Sequence, residues 1–174
     1  MLGDTSWQRL TADIVACRAC PRLVAWREQV AREKRRAYRD WDYWGRPVPG
    51  FGDPAARLFI VGLAPGAHGS NRTGRMFTGD SSGDTLYAAL HRAGFAGRPT
   101  SHHRDDGLTL TDVFVTAVVR CAPPGNRPTV EEMAACQSYL AREWALMPQV
   151  RVVVALGQVA FDGCLRLLHD LGYD

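Results

Sequence analysis

Four cysteines hold the strongest chemical signal in the sequence: Cys17 and Cys20 in the run Cys17-Arg-Ala-Cys20-Pro21, then Cys121 and Cys136, fourteen residues apart. A local pair plus two distant thiols lets a fold close around a soft metal centre. Cys164 stands alone in a late helical segment and reads as a small buried hydrophobe. Two further stretches are rich in residues that bend the chain or carry polar groups. One is Gly62-Leu-Ala-Pro-Gly-Ala-His-Gly-Ser-Asn-Arg-Thr-Gly-Arg-Met-Phe-Thr-Gly-Asp80, and the other is Val119-Arg-Cys-Ala-Pro-Pro-Gly-Asn-Arg-Pro128. Read residue by residue, Asp80 suits the N-cap of a helix starting at Ser81, Asn126 suits a turn, and Phe77 suits a core. His102 and His103 sit in a polar stretch from Pro99 to Gly107 and read as exposed loop histidines.

The elements that must position these groups follow from periodicity and punctuation. A first helix is expected from near Asp4–Ser6, with Leu10, Ile14 and Cys17 on one face. Pro21 suits the first turn of a second, in which Leu23, Trp26 and Val30 form a stripe. A loop rich in glycine and proline runs from Gly45 to Pro54. Three short apolar runs, 57–61, 113–119 and 152–156, have the character of buried strands, and each leads toward a helix. Those helices run from about Ser81 to Ala93, where Leu86 and Leu90 face inward, from Thr129 with Glu132 as a capping box, and after Gly157. Such alternation predicts an α/β fold, a three-layer α/β/α sandwich on a parallel sheet. One domain over 1–174 is expected, residues 1–56 carrying the N-terminal helices and loop and 57–174 the α/β core. Ligands of such sheets collect beyond the carboxyl ends of the strands, where Gly62–Gly66, Arg120–Asn126 and Gly157 all fall.

Composition narrows the class. The 174 residues are 46% apolar and 22% charged, as in a soluble globular domain. No apolar run reaches membrane-spanning length and the N-terminus lacks a basic region followed by an apolar one, so a cytoplasmic location without membrane association is expected. In that reducing compartment paired cysteines read as metal ligands or redox groups before disulfides. The net charge of +3 and pI near 8.7 are too mild for a nucleic-acid footprint. Lys34 is the only lysine, however, and the arginines between Arg27 and Arg46 are interleaved with Tyr38, Trp41, Tyr43 and Trp44. That mixture suits a surface tracking a phosphate backbone, and a solvated helix face explains it nearly as well.

The two long motifs and the cysteine spacing resemble the iron–sulfur uracil-DNA glycosylases, specifically the family-5, or B-type, branch, from Cys17 to Gly157. The related A-type branch has an acidic residue where this sequence has Leu63. The resemblance implies a [4Fe–4S] cluster on Cys17, Cys20, Cys121 and Cys136. It makes Asp80 the carboxylate that activates water and faces a developing sugar cation, and Asn126 the second catalytic position. Phe77 becomes the ring on which a flipped base stacks, and Gly62, Leu63 and Ala64 the backbone that approaches the base. Arg72, Arg75 and Arg127 are candidates for phosphate contact. The partner implied is DNA containing uracil or another deaminated base such as hypoxanthine, met by a monomer.

Glycosylases of that branch carry a further His-x-Ser type motif near the C-terminus, and none of the five histidines here lies in a matching context. A C-terminally incomplete sheet, with its last strand missing, an unpaired edge and a bare final helix, is therefore expected, as is low activity for this chain. Two other classes are a DNA-binding remnant that no longer cleaves and an electron-transfer module unrelated to DNA. The latter leaves the motif from Gly62 to Asp80 unexplained.

Overall fold

The computed structural model describes residues 2–173. Helices α1 (Leu2–Ala16) and α2 (Pro21–Glu33) come first, joined by the segment that carries Cys17 and Cys20. Leu10 and Ile14 form the buried face of α1, as the spacing predicts. In α2 the buried stripe is Leu23, Arg27 and Val30, so an arginine takes the place expected for Trp26, which is half-buried.

The central sheet has four strands: β1 (Phe51–Gly52), β2 (Leu58–Gly62), β3 (Val113–Ala117) and β4 (Val152–Ala155). Their order is β1-β3-β2-β4. β2 pairs in parallel with both β3 and β4, while β1, which lies inside the expected loop, pairs antiparallel with β3. The single-turn helix α3 (Ser70–Thr73) and helix α4 (Ser81–Arg92) follow β2, and α5 (Val130–Ala145) and α6 (Gln158–Asp170) follow β3 and β4. Asp80 and Thr129 cap α4 and α5 through side-chain acceptors, and Thr129 with Glu132 forms the predicted capping box.

Strand alternation divides the apolar residues between two layers. Phe59, Val61 and Phe114 pack with Leu140 of α5 and Ala160, Cys164 and Leu167 of α6. Ile60, Val113 and Val115 pack on the other face with Tyr87 and Leu90 of α4. Full burial of one such side chain contributes roughly 1.5–3 kcal/mol, so this α/β/α layering is what holds the strand ends in place. The Arg120–Glu143 pair, 1% exposed on both sides, adds a buried link from the segment after β3 to α5, with Thr116 hydrogen-bonded to both partners.

β4 lies at the sheet edge, with no strand partner on its outer side among the described residues. Its Val152 is 53% exposed, and on α6 Phe161 is 51% exposed and Leu165 is open to solvent too. Among the described residues the sheet edge at β4 is unpaired, and α6, packed on the sheet by one face, leaves apolar side chains exposed on the other. No helix of the described residues is long and apolar enough to cross a membrane.

Candidate active site and cysteine cluster

Beyond the carboxyl end of β2 lies a cleft of about 560 Å³, lined by Leu63, Ala64, Gly66, Phe77, Asp80 and Asn126 among others. That volume falls within the roughly 300–1,000 Å³ usual for small-ligand pockets. Gly62 ends β2, and its carbonyl and that of Leu63 accept from Val118 and Val119 N–H, so the chain past the strand is anchored to the neighbouring segment.

Asp80 serves two structures at once. Its Oδ1 accepts from Gly83 N–H at 3.1 Å and caps α4. Its Oδ2 lies against the loop glycines: a Cβ built on Gly69 would sit 2.1 Å from it, and one on Gly66 2.9 Å. The helix cap therefore fixes the second oxygen against the Gly66–Gly69 turn at the cleft, and a side chain on Gly69 would collide with it.

Phe77 has φ 51°, a left-handed conformation rare for a bulky residue. Its ring lies over Gly62, where an added Cβ would approach Cζ to 2.4 Å. The carbonyls on either side are pinned: Tyr87 Oη donates to Met76 O at 2.8 Å, and Thr73 Oγ1 donates to Thr78 O at 3.0 Å. Asn126 also has positive φ, 57°, at the end of the single turn Pro124–Asn126. Two of the cleft's polar or aromatic groups are thus held by strained backbone, a pattern that clusters where geometry is functional.

The arginines correct an expectation. Arg72 is 4% exposed and Arg75 is 2% exposed, and both are committed inside the protein. The Arg72 guanidinium carbon lies over the rings of Tyr38 and Trp41, 3.8 and 4.0 Å from their centres, and the group donates to His68 O and Gly79 O. Arg75 binds both carboxylate oxygens of Asp106, at 2.9 and 2.7 Å, together with Ser101 and Thr78. Burial works against ionisation of Asp106, but Arg75 and the N–H groups of His102, Leu108 and His103 outweigh it and hold the carboxyl well below the usual range. Guanidiniums buried and bonded in this way do not face a phosphate, so both residues brace the motif instead. Arg127, next to Asn126, remains exposed.

Several cleft residues were not foreseen. Ser82, Thr85, Leu86 and Ala89 line it from α4 at helical spacing, so Leu86, half-buried against the core as expected, also faces the cleft, while Leu90 is buried. His68 shares a 3.0 Å hydrogen bond with Tyr43, and burial, then Arg35 and Arg72, lower its pKa.

Cys17, Cys20, Cys121 and Cys136 converge on one small void, whose other walls include Leu23, Arg27, Pro47 and Arg120. The thiols sense one another: burial and then the charges of neighbouring cysteines raise Cys20. Burial pushes the Cys121 thiol up to about 12 against the opposing pull of Arg27. Among the described residues no histidine or carboxylate joins them in lining the void. Among the described residues no group of three or more histidine, cysteine or acidic side chains is gathered closely enough to hold a single metal ion. Cys164 lies apart, buried against the sheet.

An open sheet with its cleft beyond the carboxyl ends of parallel strands defines an α/β ligand-binding protein. The chain belongs to the uracil DNA glycosylase superfamily, whose family model matches residues 49–172. It is similar to the type-5 uracil-DNA glycosylase of Mycobacterium leprae, with 59% identity over 166 residues, 95% of this chain and 72% of that protein. The type-5 enzyme of Mycobacterium tuberculosis is 59% identical over 171 residues, 98% of this chain and 64% of that protein. The type-5 enzyme of Thermus thermophilus is 59% identical over 152 residues, 87% of this chain and 68% of its own length. The chain thus spans 64% to 72% of the length of these relatives.

Proposed function

We propose that this protein excises uracil from DNA by hydrolysing the N-glycosidic bond, as the first step of base excision repair. The observation that carries the reading is the convergence of Asp80, Asn126 and Phe77 on one cleft beyond β2. The similarity to type-5 uracil-DNA glycosylases supports it.

The chemistry follows from charge. A base buried in a duplex must first be extruded and gripped by its face and edge. Phe77 supplies the face, its ring held against Gly62 by the left-handed backbone. The N–H groups of Leu63 and Ala64 are donors for a base carbonyl, and Asn126 hydrogen-bonds the base or the attacking water. As the bond from N1 to the sugar lengthens, positive charge develops on the sugar and the bonding electron pair leaves with the base. Asp80 Oδ2 stabilises the cation and orients a water whose oxygen bonds to the anomeric carbon, while a proton of that water passes to the carboxylate or to solvent. Hypoxanthine and other deaminated bases fit the same scheme. Arg127 contacts a flanking phosphate.

The four cysteines hold a [4Fe–4S] cluster in this reading. An all-sulfur donor set and two orphaned buried donors at the void, Arg27 Nε and Arg120 Nε, agree with a sulfur-rich occupant. The cluster supplies a cross-link between the N-terminal helices and the segment that leads to Asn126.

The test is alkaline nicking of a uracil-containing duplex after incubation with anaerobically prepared protein. Nicking is expected from the wild type, with the rate falling by about 10²–10³ in Asp80→Asn, which keeps the cap oxygen and loses the charge. Folded wild-type protein that nicks no more than its Asp80→Asn variant would remove the enzymatic reading and leave the DNA-binding remnant.

A further inference from the structure

We infer that Arg27 is the electrostatic partner of the cysteine-bound cluster, donating a buried charged hydrogen bond to the Cys121 sulfur that favours the cluster's more reduced states. The inference rests on the cluster reading given above and adds a residue and a property to it.

The geometry starts with a charge in an unusual place. Arg27 occupies the buried stripe of α2 and is only 2% exposed. An unpaired buried guanidinium costs several kcal/mol, so something must compensate it. Its Nη1 donates to Cys121 Sγ at 2.9 Å, and both Nη atoms reach the Cys17 carbonyl at 3.3 Å. Its Nε, also buried, has no acceptor. The nearest carboxylate, Glu28 at 3.9 Å, is half-buried and already bound by Arg18.

Arg120 provides the contrast. It too lines the void, but its Nη1 and Nη2 each bind Glu143 at 2.8 Å, which cancels its charge. Among the described residues lining the void, Arg27 is the one cation without a close carboxylate of its own. A thiolate-ligated core carries net negative charge, and each electron added makes it more negative. A fixed cation and a hydrogen bond to a ligating sulfur stabilise the reduced form more than the oxidised one, so both raise the reduction potential. The same attraction explains why an arginine sits where helical periodicity alone favours Trp26.

The experiment is a mediator-poised redox titration of the full chain, purified anaerobically, with iron and labile sulfide measured on every sample. Arg27→Gln is expected to shift the one-electron equilibrium about tenfold against the reduced form, lowering the potential by about 59 mV. Arg27→Lys, which keeps the charge without the fork, is expected to recover part of that shift. Arg32→Gln, an exposed position on the same helix, should leave the potential where it is. A wild type without iron and sulfide overturns the cluster reading itself. Fully loaded Arg27→Gln with an unchanged potential overturns the role of Arg27 and leaves the cluster intact. Should Arg27→Gln fail to fold, Arg27→Lys decides: a wild-type iron content with a lowered potential supports the inference, and an unchanged potential refutes it.

Discussion

Substituting Gly69 by alanine tests the central geometric claim, that one carboxylate oxygen caps a helix while the other is held at the cleft. At φ −95° Gly69 is outside the left-handed region, and the nearest group a Cβ there would meet is Asp80. The new Cβ would sit 2.1 Å from Asp80 Oδ2, where ordinary contact begins near 3.4 Å. The carboxylate must therefore withdraw by about 1.3 Å, and misplacing a reacting group by about 1 Å costs on the order of 10²-fold in rate. The same movement strains the 3.1 Å bond to Gly83 N–H. Losing that cap costs about 1 kcal/mol, or roughly 2–4 °C in melting temperature for a domain of this size. So small a loss leaves the chain folded and cannot account for a hundredfold change in rate. Single-turnover excision should therefore slow about a hundredfold, while affinity for uracil-free DNA stays at the wild-type value. A folded Gly69→Ala protein that cleaves as fast as the wild type would show that the position of Oδ2 does not matter to the reaction.

Phe77→Ala removes the ring over Gly62 and is expected to weaken binding of a flipped base by roughly 1–3 kcal/mol. Titration with an uncleavable uracil analogue measures this, and the single-turnover rate at saturating DNA should change less. Asp106→Asn leaves the 2%-exposed Arg75 without its counter-charge, so chemical denaturation should report a loss of about 3 kcal/mol at neutral pH. Because the native Asp106 carboxyl is held below its ordinary value of about 3.9, its contribution is complete above that pH and is lost as pH falls toward the native value. The Asn variant should therefore lose less stability than the wild type between neutral pH and the acid region.

The parallel sheet was legible because its three main strands are short apolar runs, with Gly62 and Gly157 marking turns after β2 and β4. The helix caps at Asp80 and Thr129 were equally legible, since capping is a local bond between near neighbours. What escaped was decided at long range. β1 is two residues whose pairing depends on β3, some sixty positions later. Trp26 and Arg27 both satisfy helical spacing after Leu23, and hydrophobicity favours the tryptophan; a sulfur acceptor at Cys121 reverses the order. Arg72 and Arg75 read as phosphate ligands because nothing nearby in the chain announces Tyr38, Trp41, Ser101 or Asp106 as their partners. A guanidinium is an interior brace or an exterior grip according to whether its donors are already taken, and sequence does not count them.

That distinction explains how the cleft keeps its strain. A left-handed Phe77 and a carboxylate wedged against glycine are not conformations that the local chain prefers. Both lie in the segment that the two buried arginines tie down. Arg72 holds Gly79 O, immediately before Asp80, and Arg75 holds the hydroxyl of Thr78, immediately after Phe77. Their own anchors, the rings of Tyr38 and Trp41 and the carboxylate of Asp106, lie outside the motif. Moving those guanidiniums to a DNA surface would gain phosphate contacts and release the backbone that aims Phe77 and Asp80. Electrostatic attraction can be supplied by many exposed arginines elsewhere on the chain, whereas the aim of one ring and one oxygen depends on these two.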